Sequence, residues 1–113
     1  MSEIFGNFIN GEWVDSSSGK TFKSVNPANI EEEIASYQVS TVSDVKAGIE
    51  AAKSSQTDWS AIPAPQRGTI LIKAAELLEQ RTEQIASEMT REEGKTIAEA
   101  KGEVGRSVNI LRY

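Results

Sequence analysis

The sequence predicts an α+β fold, with small antiparallel strands over residues 1–40 followed by amphipathic helices over residues 41–113. Three observations carry that prediction. Asn10-Gly11 lies between apolar residues, and a type I′ hairpin needs two residues that accept positive φ. Thr41-Val42-Ser43-Asp44 has the form of a capping box at the head of a helical period. From Arg67 to Tyr113, apolar residues recur in three stripes at helical spacing, so each segment has one face to bury.

The elements follow in order. Phe8 to Val14 reads as the hairpin. Asp15 to Lys20 is a polar loop. Thr21 to Val25 alternates as a strand does, and Asn26-Pro27 stops it. Ala28 to Glu33 reads as a polar turn. From Ile34 to Val39 the alternation returns, which makes an antiparallel sheet of three or four strands in all. The first helix carries Val42, Val45, Ile49 and Ala52 on one stripe and is expected to end between Ser54 and Thr57. Trp59 reads as a core anchor where the first helix meets the second, rather than as a stacking platform for a ligand. Pro63 and Pro65 break the helix, and Pro65 suits the first turn of the next one. The following stripes are Ile70, Leu71, Ala74, Leu77 and Leu78, then Ile85, Ala86 and Met89. Gly94 fits a left-handed position just past a helix end. Thr96 is the next cap, with Glu99 at its third position, and the last stripe is Ile97, Ala100, Val104, Val108 and Leu111. The chain reaches Arg112-Tyr113 with no glycine or proline stop, so a continuation is expected.

Composition narrows the chemistry. The 113 residues contain no Cys and no His, and the formal net charge is −5. A chain without thiolate or imidazole has no cysteine nucleophile, no disulfide and neither the sulfur nor the imidazole ligands that zinc sites usually use. Net acidity argues against nucleic acid or an anionic membrane as the partner, since both call for a basic patch. No stretch approaches the ~20 apolar residues that span a bilayer. The first residues show no secretory signal pattern, so the expected location is cytoplasmic.

Two stretches imitate a phosphate loop. Ser18-Gly19-Lys20-Thr21 ends correctly, but Val14 stands where the first glycine is needed, and a strand follows. Gly94-Lys95-Thr96 has Met89 at that position. Both glycines are required for backbone N–H groups to wrap phosphates. The acidic runs Glu31-Glu32-Glu33 and Glu92-Glu93 read as solvated faces. Arg106 stands apart. It is either a surface partner for Glu103, three residues back, or a guanidinium near a pocket that grips a carboxylate with two hydrogen bonds.

Several stretches together resemble the N-terminal region of the aldehyde dehydrogenase superfamily. They are Phe8-Ile-Asn-Gly-Glu-Trp-Val14, Val25-Asn-Pro-Ala28, Trp59 with Arg67-Gly68, Glu92-Glu-Gly-Lys-Thr96, Ala98-Glu-Ala-Lys-Gly-Glu-Val104 and Leu111-Arg-Tyr113. Their order and spacing match along nearly the whole chain. The run from Gly102 to Arg106 is similar to the branch acting on ketoglutaric semialdehyde (2,5-dioxopentanoate), with succinate semialdehyde enzymes as the near alternative.

The resemblance implies a longer parent with a Rossmann-like cofactor domain, a catalytic domain and an oligomerisation arm. Such enzymes oxidise an aldehyde to an acid with NAD⁺ or NADP⁺ through a cysteine thiolate, an oxyanion hole and a glutamate base. No catalytic or cofactor-binding residue of that machinery falls on the present chain, which corresponds to the first part of the cofactor domain. Arg106 falls where a side chain lining the substrate tunnel is expected, and Gly102, one turn earlier, leaves room for substrate.

The expected reading is therefore an N-terminal segment of an NAD(P)⁺-dependent aldehyde dehydrogenase, inactive alone and binding no cofactor alone. The alternative is a stand-alone, non-enzymatic helical module that binds a partner through exposed apolar faces. Self-association is expected in either case, because the stripes lack partner surface.

Overall fold

The computed structural model describes residues 4–113, and contacts divide the chain into two compact units. One comprises residues 1–25 and 31–61, the other residues 26–30 and 62–113.

The first unit begins with β1 (Ile4–Phe5) and the hairpin of β2 (Asn7–Ile9) and β3 (Glu12–Val14). The turn has φ of 54° at Asn10 and 82° at Gly11, as a type I′ turn requires. Phe8 faces Trp13 across the hairpin, with ring centroids 5.1 Å apart. Strands β4 (Thr21–Asn26) and β5 (Asn29–Gln38) form a second sheet with β1, in the order β1-β5-β4.

This sheet corrects two expectations. Strand β1 pairs with β5 in parallel, with Ile4 opposite Ser36 and Phe5 opposite Tyr37, so the strands are not all antiparallel. The acidic run Glu31–Glu33 belongs to β5 and not to a turn. The true turn is Pro27-Ala28, held by the Ala28 N–H donating to Asn26 Oδ1 (2.9 Å). Glu33 is kept in the strand by an ion pair with Lys23 of β4, and such cross-strand pairs favour the ladder.

Helix α1 (Val42–Ala61) completes the first unit. Its head is a reciprocal cap: the Asp44 N–H donates to Thr41 Oγ1 (3.3 Å) and the Thr41 N–H to Asp44 Oδ2 (2.7 Å). Asp44 also accepts from the Ser17 N–H and from the hydroxyl of Ser16, which is buried. The Thr41 N–H, then the Ser16 hydroxyl, hold the Asp44 carboxyl well below the usual carboxylate range. A polar clasp thus fastens the loop after β3 to the head of α1. The helix runs past the expected end and includes Trp59, which is 41% exposed and anchors no core. No residue of α1 is buried, and Val42, Val45 and Ile49 lie open.

The second unit holds α2 (Ala64–Gln80), α3 (Thr82–Glu93) and α4 (Ile97–Arg112). Pro65 lies in the first turn of α2, where its missing N–H is harmless. Gly94 ends α3 with φ of 73°, and a Cβ there would meet Pro27 Cγ at 3.1 Å. Helix α4 packs against both α2 and α3. Its core is small: Ala86, Ala100 and Val104 are buried, with Leu78, Ile85 and Met89 packed around them.

On α2 the buried residue is Ala75, while Ile70, Leu71, Ala74 and Leu77 of the expected stripe face outward. Apolar residues fill a wide arc of this helix, broader than one contact, so periodicity alone does not pick the residue at its inner face. Alanine has no side chain to hold two helices apart, and it takes the contact position. Among the described residues, no helix is long and apolar enough to cross a membrane.

Candidate functional site

The open face of α4 carries the candidate site. Thr96 caps the helix, its Oγ1 accepting from the Glu99 N–H, and the Glu99 carboxylate accepts from the Thr96 N–H in return. Both members of the predicted box are therefore in place. Ala100, Val104 and Val108 are buried, which fixes the helix's rotation about its own axis. At 3.6 residues per turn, the opposite side carries Gly102, Arg106, Asn109 and Tyr113, with Gly105 beside them. All five are exposed.

Arg106 is not the partner of Glu103. That carboxylate accepts from Lys95 Nζ at 2.8 Å, and Lys95 also pairs with Glu93 at 2.6 Å. Glu103, then Glu93, push the Lys95 pKa up, as two carboxylates around one ammonium must. Lys101 holds Glu83 at 2.7 Å, and Arg112 holds Glu79. These pairs tie α4 to α3 and α2. Among the described residues, the Arg106 guanidinium has no ion pair, so its planar fork of donors is available. A Cβ built at Gly102 or Gly105 would meet nothing within 4 Å, so the surface beside the guanidinium is both open and cleared of side chains. Such a surface can take a carboxylate with a short chain attached.

Neither phosphate-loop look-alike makes a phosphate site. Ser18–Thr21 leads into β4. Gly94-Lys95-Thr96 does open a helix, but the N–H groups of Thr96 and Glu99 are taken by the capping box, Lys95 is committed to two carboxylates, and Glu99 adds negative charge at the helix head. An incoming phosphate would be repelled.

The clefts of the first unit offer no better fit to a dinucleotide. One of about 400 Å³ is lined by Ile4, Phe5, Gly6, Trp13, Val14 and Asp15, and the only charged side chain among these is acidic. The described residues do not bring together three His, Cys, Asp or Glu side chains able to hold a metal.

Sequence reasoning singled out Arg106 and Gly102, and the structure puts both on one face. It passed over Asn109, three residues beyond Arg106, although the same spacing argument reaches it. It also passed over the Ser16–Asp44 clasp, whose partners lie 28 residues apart and leave no local signal.

Comparison with known proteins identifies the family. Residues 13–113 match the model of the aldehyde dehydrogenase family. An alpha-ketoglutaric semialdehyde dehydrogenase of Bacillus subtilis is 48% identical over 107 residues, covering 95% of this chain and 22% of that protein. An NAD-dependent aldehyde dehydrogenase from Sinorhizobium meliloti superposes with a TM-score of 0.93 at 27% identity, over 100% of this chain and 23% of that one. An NADP-dependent glyceraldehyde-3-phosphate dehydrogenase from Bacillus halodurans, solved with NADP, gives a TM-score of 0.90 at 31% identity, over 99% and 23%. The chain thus spans less than a quarter of the length of these relatives. The match over residues 13–113, the mixed strands and helices that superpose along the whole chain, and the shared motifs show that this chain belongs to the aldehyde dehydrogenase family.

Proposed function

We propose that this chain is the N-terminal part of the cofactor domain of an NAD(P)⁺-dependent dehydrogenase that oxidises a carboxylated semialdehyde, and that Arg106 holds the substrate's carboxylate. One observation carries the reading. In a chain 48% identical to a semialdehyde dehydrogenase, an exposed guanidinium without an acidic partner stands on a face cleared by two glycines. Relatives described as NAD-dependent and as NADP-dependent support a nicotinamide cofactor of either kind for the whole enzyme. This segment contains no cysteine, so it supplies no thiolate to attack the aldehyde. Its part is to bind and orient. Arg106 neutralises the carboxylate and fixes the far end of the substrate, so the aldehyde carbon sits one chain length away.

The test is kinetic and uses the whole enzyme. Arg106→Ala should raise KM for a carboxylated aldehyde by roughly ten- to a hundredfold, the worth of a hydrogen bond to a charged group. A neutral aldehyde of the same length should keep its wild-type KM. Equal rises for both substrates would reject the grip.

The apolar surface favours a second property, self-association of the 113-residue chain expressed alone. Val42, Val45 and Ile49 are 73%, 56% and 59% exposed, and Ile70, Leu71 and Leu77 are open as well. Surfaces of this kind are rarely left uncovered by monomers. Exchange of α4 between copies is one route by which they can be covered. Sedimentation should show a mass that grows with concentration. A monodisperse monomer at high concentration would overturn this property.

A further inference from the structure

We infer that the cleft beside β1 and β3 is a binding site for an alkylated ammonium ion, whose carbons rest against Phe5 and Trp13 and whose charge faces Asp15. The site lies wholly within the first unit and does not depend on the role of Arg106.

A close backbone approach builds the cleft. Gly6 stands between β1 and β2, and a Cβ there would lie 2.9 Å from the Val14 carbonyl oxygen. Glycine lets the chain after β1 lie directly against β3, and this brings Phe5 and Trp13 to one cavity. The cavity holds about 400 Å³, the size of a small-molecule site. Each aromatic wall is backed by a second ring. Phe5 stacks on Tyr37 with centroids 5.5 Å apart, and Trp13 leans on Phe8 at 5.1 Å. The walls are held in place and still open to a ligand, with Trp13 68% exposed.

The charge in the cleft selects the ligand. Asp15 Oδ1 accepts from Gln38 Nε2 (3.0 Å), and Gln38 Oε1 in turn accepts from the Ser16 N–H (3.2 Å). A neutral donor thus orients the carboxylate and leaves its charge uncompensated. Among the described residues Asp15 has no ion pair. A cation is drawn to this carboxylate by charge and to the indole face by the ring's quadrupole, and an anion is repelled by both. A bare metal ion is poorly served, because one carboxylate between carbon walls cannot replace its oxygen ligands. An ammonium carrying methyl groups suits both kinds of wall, since its charge is spread over carbons that pack on aromatic rings. The formal net charge of −5 adds attraction at longer range.

The test titrates tetramethylammonium into the whole enzyme at constant ionic strength and follows saturation transfer to its methyl protons. The uncharged comparison is tert-butanol, which has nearly the same shape. Tetramethylammonium should bind more tightly than tert-butanol by about tenfold, the combined worth of the ring and the carboxylate. Trp13→Leu should weaken the cation roughly three- to tenfold, the scale of one cation–π contact, and Trp13→Phe, which keeps a ring, should weaken it less. Asp15→Asn should weaken the cation about threefold, as for an exposed ion pair, and leave tert-butanol unchanged. Both ligands are measured on one preparation, so any loss of folded protein cancels in their ratio. No binding of tetramethylammonium, equal binding of tert-butanol, or a ratio untouched by Trp13→Leu and Asp15→Asn would each overturn the assignment.

Discussion

The two units hold together by different means and leave different surfaces open. The strand-and-α1 unit is fastened by polar contacts. Among the described residues its buried ones are Ala35, Ser16 and Ser36, and α1 contributes none. The helical unit is fastened by a small apolar core in which Ala75, Ala86 and Ala100 are wholly enclosed. What remains exposed differs accordingly. On α1 the open stripe is valine and isoleucine. On α4 the open face is glycine, arginine and asparagine.

The largest expected effect falls on the apolar core. Val104→Asp places a carboxylate where Val104 is 2% exposed, with no cation among the core residues around it. The cost should be about 4 kcal/mol or more, as for other unpaired buried charges. Circular dichroism should show the loss of helix. Retained helix and an unchanged melting temperature would mean that the packing of α4 is not what holds the second unit.

A smaller effect is expected in the first unit, where acid should act through Asp44. Its folded pKa is depressed by the Thr41 N–H and the Ser16 hydroxyl. A depressed carboxylate contributes stability that is fully present above its unfolded pKa and is lost as pH falls through the folded one. The clasp should therefore be intact at neutral pH and weaken only below about pH 4, the ordinary aspartate value. Asp44→Asn should abolish that acid dependence and speed proteolysis between Ser16 and Lys20 at neutral pH. If the variant kept the wild-type acid profile, the clasp would not be the titrating element.

The sequence made some of these features legible because their causes are local. Asn10-Gly11, the Thr41–Asp44 box, Gly94 and the Thr96–Glu99 box each act over a few residues, and each appears where expected. What escaped depends on distant partners. Strand β1 finds β5 across more than thirty residues. Helix α2 has a wide apolar arc, so its inner face is chosen by fit to α4, and Ala75 is the residue that fits. Glu31–Glu33 has the composition of a turn, yet β4 alongside it supplies Lys23. In the candidate site, Arg106 stood out from its neighbours on the last helix, and Gly102 entered only through the family resemblance. The freedom of Arg106 followed only from the structure, because Glu103 could have paired with it and chose Lys95.

Reversing the charge of Arg106 tests the carboxylate grip most directly. In the whole enzyme, kcat/KM would be measured for a carboxylated aldehyde and for an amino aldehyde of equal length, with wild type and with Arg106→Glu. If this face reads the far end of the substrate, the variant should lose the carboxylated substrate and gain the cationic one, so that the ratio inverts. A parallel fall for both, with the ratio preserved, would contradict the account, for Arg106 would then affect the enzyme without touching the charged end of its substrate.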